Sequence, residues 1–73
     1  MPLVIAPLNQ KLKVFKILAD GKIKKHLESL GITINSEIVI LSRSGKSVIC
    51  QIKEGRLGID EGIATRILVN QEA

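Results

Sequence analysis

The chain has 73 residues, enough for one domain and a modest core, and a domain this small buries only about 60 % of the surface its unfolded chain exposes. Hydrophobic residues make up 45 % and charged residues 25 %, which excludes a disordered polar chain. The formal charge of +4 favours acidic partners only weakly, and a single cysteine excludes an internal disulfide and fits a reducing compartment.

Met1 to Leu8 lacks a basic stretch and is interrupted by Pro2 and Pro7, so it does not read as a signal peptide. The longest apolar run, Ile38-Val39-Ile40-Leu41, is far too short to span a bilayer. A cytoplasmic chain without membrane insertion is expected.

The first strand signal runs from Lys11 to Leu18. Leu12 and Val14 share one parity, Phe15 and Ile17 the other, and this change predicts a bulge or sharp bend. A helix follows, with Asp20 as its N-cap and Ile23, Leu27 and Leu30 as its apolar stripe. Lys22, Lys24, Lys25, His26, Glu28 and Ser29 flank or oppose that stripe. Gly31 ends the helix as a left-handed C-cap, and Ile32 packs back on Leu27 in the manner of a Schellman ending.

Short strands follow: Glu37 to Ser42, Ser47 to Lys53 and Arg56 to Ile59. Turns are expected at Ser44-Gly45 and Glu54-Gly55. Asp60 to Ala64 forms one helical turn, and Ile67 and Val69 close the last strand. About five short strands with one inserted helix make an all-β chain, too small for a sandwich, that curls into a small barrel to protect its edges.

Chemistry finds little material. A nucleophile–base pair would have to be Cys50 with His26, and Cys50 shares the parity of Val48 and Ile52, which points it into the core. A buried thiol is inert. A transition-metal site wants three or four converging ligands; His26 and Glu28 point to different sides of the helix, so no metal or cofactor is expected within one chain. A site shared between chains stays open. Asp20-Gly21-Lys22 is a poor phosphate loop, with one glycine and an anion-repelling aspartate. Lys22, Lys24 and Lys25 are basic, but nucleic-acid-binding barrels add stacking aromatics, and Phe15 is the only aromatic residue. The residues therefore point to a noncatalytic module that acts by docking.

His26-Leu27-Glu28-Ser29-Leu30-Gly31-Ile32 resembles a family pattern of a basic residue and Leu followed by Leu-Gly-Ile or Leu-Gly-Leu. Leu57-Gly58-Ile59 with Ala64, Ile67 and Val69 resembles the same family's closing strand, short turn and Ala-x-x-Ile-x-Val, and Val14 and Ile17 fit its first strand. The family is the FeoA type, small proteins of bacterial ferrous iron transport and iron homeostasis. The chain departs from it at His26, where Arg is usual, and at Ile34-Asn35, where Pro-Gly is usual.

The resemblance implies an SH3-like barrel over residues 1–73 and a partner, the membrane transporter FeoB with its cytosolic GTP-binding domain. It brings no catalytic residues. The expected contact residues are Lys22, Lys25, His26 and Ser29 on the helix and Arg43 and Arg56 on the hairpins, with Leu27, Leu30 and Gly31 structural. The competing readings are the barrel module of an iron-dependent regulator, which would need an adjoining DNA-binding helical domain, and a small nucleic-acid-binding barrel. Homo-oligomerisation is open.

Overall fold

Strand β1 spans Leu12–Ile17, and Leu12 and Val14 are buried while Lys13 between them is exposed, the alternation of a half-buried strand. The structure, a computed structural model, describes residues 1–72. At Phe15 the alternation breaks: the antiparallel register of β1 against β5 (Ile67–Gln71) shifts between Val14 and Lys16. The change of parity in the sequence is this bulge, which turns Phe15 out to solvent and lets the strand bend around the core.

Strands β2 (Glu37–Ser44), β3 (Ser47–Ile52) and β4 (Gly55–Asp60) form an antiparallel meander. The sheet order is β4-β3-β2-β1-β5. A second bulge in β2, between Ile40 and Ser42, breaks its register with β3. β2 runs two residues further than the sequence suggested, because Arg43 and Ser44 still pair with Val48 and Ser47. The tip of that hairpin is Gly45-Lys46, and Gly45 takes φ 59 there. The next tip is Lys53-Glu54, one residue earlier than expected, since Gly55 already pairs with Ile52. Two bulges in five short strands give the curl of an SH3-like barrel.

Helix α1 (Gly21–Ser29) joins β1 to β2, and α2 (Glu61–Ala64) joins β4 to β5. Asp60 caps α2, its carboxylate accepting from the Gly62 N–H at 2.9 Å. Asp20 occupies the cap position of α1 with extended backbone but makes no side-chain cap hydrogen bond, so its expected role is not realised.

One hydrophobic cluster takes side chains from every element: Leu12 and Val14 (β1), Leu27 (α1), Ile38 and Ile40 (β2), Val48, Cys50 and Ile52 (β3), Ile59 (β4), Ala64 (α2), and Ile67 and Val69 (β5). Among the described residues no polar or charged side chain is buried. Fully burying each Leu, Ile or Val contributes about 1.5–3 kcal/mol.

The N-terminal segment belongs to this core, which the sequence did not show. Leu3 and Ala6 are buried, and a 3₁₀ turn spans Leu3–Ile5. The Met1 ammonium donates to the Val69 carbonyl at 2.9 Å, the Val69 N–H donates to the Met1 carbonyl at 2.7 Å, and Pro2 bridges to Leu68. Among the described residues no helix is long and apolar enough to cross a membrane.

Candidate docking surface

Helix α1 buries one narrow stripe and exposes the rest. Leu27 is buried and Ile23 packs partly against the core, while Lys22, Lys24, Lys25, His26, Glu28 and Ser29 are exposed. Lys24 and Glu28 are i, i+4 neighbours and moderate each other's charge. The Ser29 hydroxyl donates to the His26 carbonyl at 2.6 Å, which holds Ser29 down on the helix while leaving the imidazole outside.

The helix exit is fixed from several sides. The Ile32 N–H donates to the Leu27 carbonyl at 2.9 Å and the Gly31 N–H to the Glu28 carbonyl at 3.0 Å, the paired bonds of a Schellman motif. Gly31 takes φ +92, which an L side chain adopts only under strain. The motif also brings Ile32 onto the core beside Leu27. Beyond it, the Ser36 hydroxyl donates to the Gly31 carbonyl at 3.2 Å and accepts from the Thr33 N–H at 2.9 Å.

The β3–β4 tip closes against this exit. The Glu54 carboxylate lies where a side chain on Gly31 would begin; a Cβ there would sit 2.7 Å from Glu54 Oε2. Two grooves flank the tip. One, of about 280 Å³, is lined by Ser29, Leu30, Glu54, Arg56 and Leu57. The other, of about 630 Å³, is lined by Thr33, Ser36, Glu37, Gln51 and Lys53 together with Gly31. Both are open clefts with charged rims.

The contact residues expected from the sequence divide accordingly. Lys22, Lys25 and His26 stand exposed on α1. Ser29 and Arg56 come together along the smaller groove, though 27 positions of chain order separate strand from helix. Arg43 lies elsewhere and is engaged: its Nε donates to the Val4 carbonyl at 2.8 Å and Nη2 to the Ala6 carbonyl at 2.6 Å, which clamps the N-terminal segment to β2. Leu27 is in the core, whereas Leu30 is half-buried and lines the groove wall. The sequence marked Glu54 only as a turn residue and did not point to Ser36; Glu54 reaches Gly31 through the fold-dependent meeting of the hairpin tip with the helix end, whereas Ser36 bonds locally to Gly31 and Thr33.

Cys50 is fully buried in β3, and desolvation pushes its thiol up to about 11 although Arg43 pulls the other way. At neutral pH it stays protonated and unreactive. His26 stands exposed on α1, so the two do not share a site. Among the described residues no three His, Cys, Asp or Glu side chains cluster as a metal site.

The family described as FeoA domain matches residues 1–71. The solved structure of an iron uptake regulatory protein (FeoA) superposes with TM-score 0.88 at 28 % identity, over 99 % of this chain and 96 % of that one. A FeoA-like protein from Clostridium acetobutylicum superposes with TM-score 0.86 at 23 % identity, over 100 % of this chain and 87 % of that one. A manganese-dependent transcriptional repressor, in complex with manganese, matches 99 % of this chain with 36 % of its own length, at TM-score 0.89 and 21 % identity; that likeness concerns the fold alone. No curated protein matches the chain by sequence.

Proposed function

The chain belongs to the FeoA family, and on that premise we propose that it is a cytoplasmic accessory protein of ferrous iron transport that docks on the cytosolic GTP-binding domain of the FeoB transporter. The family match over residues 1–71 carries this reading. The chemistry of the chain supports it. Every described buried side chain is apolar or the protonated Cys50, so the interior offers no group to a substrate and function falls to the surface.

The contact face is the exposed side of α1, with Lys22, Lys25, His26 and Ser29, continued across the smaller groove to Arg56. Its cations suit an acidic rim on the partner, and mutating rim charges changes association rate and salt dependence more than it changes a buried core. Arg43 is left out of this face because its guanidinium already serves two backbone carbonyls.

The test is a titration of the isolated transporter domain with this protein, paired with deletion of the gene. Saturable binding that weakens with added salt, and a ferrous iron uptake defect on deletion, are expected. No binding at high micromolar concentration together with normal uptake would refute the reading.

A further inference from the structure

The sheet order leaves two outer strands, β5 and β4. They are treated differently. The edge of β5 is paired with Met1 and Pro2. The edge of β4 has no such cover: beyond β3, no described strand pairs with it. Of the usual protections of an open edge, β4 lacks a bulge and a proline, and its two exposed charges, Arg56 and Asp60, are of opposite sign rather than a like-charged barrier. Its register with β3 is unbroken over all six pairs from Ile52↔Gly55 to Ser47↔Asp60, it contains no proline, and an exposed Gly58 sits at its middle.

The phase of the ladder says which groups face outward. Next to β4, the Glu61 N–H donates to the Lys46 carbonyl at 2.8 Å. Hydrogen-bonded pairs alternate along an antiparallel ladder, so Gly55, Leu57 and Ile59 bond across to β3 and Arg56, Gly58 and Asp60 turn their main-chain groups away from it. The Arg56 and Asp60 side chains and the Cα of Gly58 are on the exposed face of the strand, while Ile59 is buried and Leu57 half-buried.

We infer that the β4 edge is a self-association edge, occupied by β4 of a second copy of this chain running antiparallel about a two-fold axis at Gly58. The pattern Arg56, Gly58, Asp60 is its own complement under that operation. Gly58 faces Gly58 of the second copy, and Arg56 faces Asp60 of the second copy twice over. The two glycines exchange two main-chain hydrogen bonds, and each Asp60 N–H donates to the Arg56 carbonyl opposite, giving four in all. The Asp60 carboxylate keeps its bond to Gly62 through one oxygen and turns the other to the facing guanidinium. Opposite charges directly across strands favour the pairing, and like charges oppose it. On the other face, Leu57 meets Ile59 of the second copy and loses its remaining exposure. The two five-stranded sheets become one continuous sheet. A six-residue edge buries little area, so the dimer is weak and forms at high concentration.

The wild-type protein tests this alone, without the transporter domain, so its failure and that of the docking reading are separable. Amide hydrogen exchange at Gly58 and Asp60 is compared at about 20 μM and about 1 mM, where mass action favours the dimer at the higher concentration. Exchange at those amides at least about threefold slower at the higher concentration, with sedimentation mass rising in parallel, is the expected result. Arg56→Asp sets two carboxylates against each other and abolishes the concentration dependence. Gly58→Pro removes the outward donor at an edge position where proline is tolerated, and does the same; thermal melting checks that each variant is folded. Unchanged exchange and mass in the wild type, or undiminished association of the folded Arg56→Asp variant, would overturn the inference. So would protection of Gly58 that appears only on adding the transporter domain, which would assign the edge to a partner's strand.

Discussion

Replacing Gly31 by alanine tests the device that joins the helix to the sheet. Two costs meet at this residue. The first is conformational: φ +92 lies in the left-handed region, where an L side chain costs about 1–2 kcal/mol. The second is steric: a Cβ would approach Glu54 Oε2 to 2.7 Å and Cδ to 2.8 Å. The obstructing atoms are the far end of a flexible side chain, so Glu54 can swing away and the steric part stays small. The total is about 1–3 kcal/mol, the range for a residue held in a sparsely populated region. At about 4–8 °C per kcal/mol for a domain of this size, the Tm falls by roughly 4–24 °C. Urea unfolding should show a lower midpoint at constant slope, because the surface exposed on unfolding does not change. Pairing the change with Glu54→Ala separates the terms: the double variant should recover only a minor part of the loss. Gly31→Asn should cost less than alanine, since asparagine tolerates positive φ. An alanine variant as stable as the wild type, or one fully restored by Glu54→Ala, would show that the positive φ of Gly31 carries no such cost.

Leu27→Ala removes a buried side chain that also receives Ile32 at the Schellman ending and should cost about 2–5 kcal/mol, measured by denaturant unfolding; in so small a domain this approaches complete unfolding. Arg43→Ala releases the Val4 and Ala6 carbonyls and should cost about 1–2 kcal/mol, given that the side chain is exposed, with faster amide exchange at Ala6 and Val69 than elsewhere. Cys50 gives a pH dependence. Its thiol is raised to about 11 in the folded protein, so the unfolded chain ionises first; stability is full below the unfolded value and falls as pH rises from about 9 towards 11, by up to about 2 kcal/mol. Cys50→Ala should flatten that part of the stability–pH curve; an unchanged slope would contradict the buried, neutral thiol.

What the sequence made legible follows from how local the physics is. The bulge at Phe15 was visible as a switch of parity, because side-chain alternation is a property of the strand alone. The helix exit was visible because Leu27, Gly31 and Ile32 satisfy a short-range motif. The N-terminal segment was not: Leu3 and Ala6 are held by β5 and by Arg43, 37 residues from Ala6 in the chain, and nothing in the first eight residues carries a period. Asp20 illustrates the reverse failure, a residue of the right type at the right position whose carboxylate makes no cap bond. The hairpin tips moved by one residue because register, not composition, decides which pair is last. For the docking surface, sequence could nominate exposed cations on α1. It could not show that Ser29 and Arg56 share a groove, or that Arg43 is committed to the backbone of the N-terminal segment.

The most direct test of the proposed docking is to ask which surface of this protein, if it binds at all, responds to the transporter domain. The isotope-labelled protein is titrated with the cytosolic GTP-binding domain, and amide shifts are followed residue by residue. Saturable shifts concentrated at Lys22, Lys25, His26, Ser29 and Arg56, with the core amides of β1 and β5 unmoved, are the expected result. Shifts confined to the face away from α1, or a spectrum unchanged at saturating partner, would contradict the proposed docking.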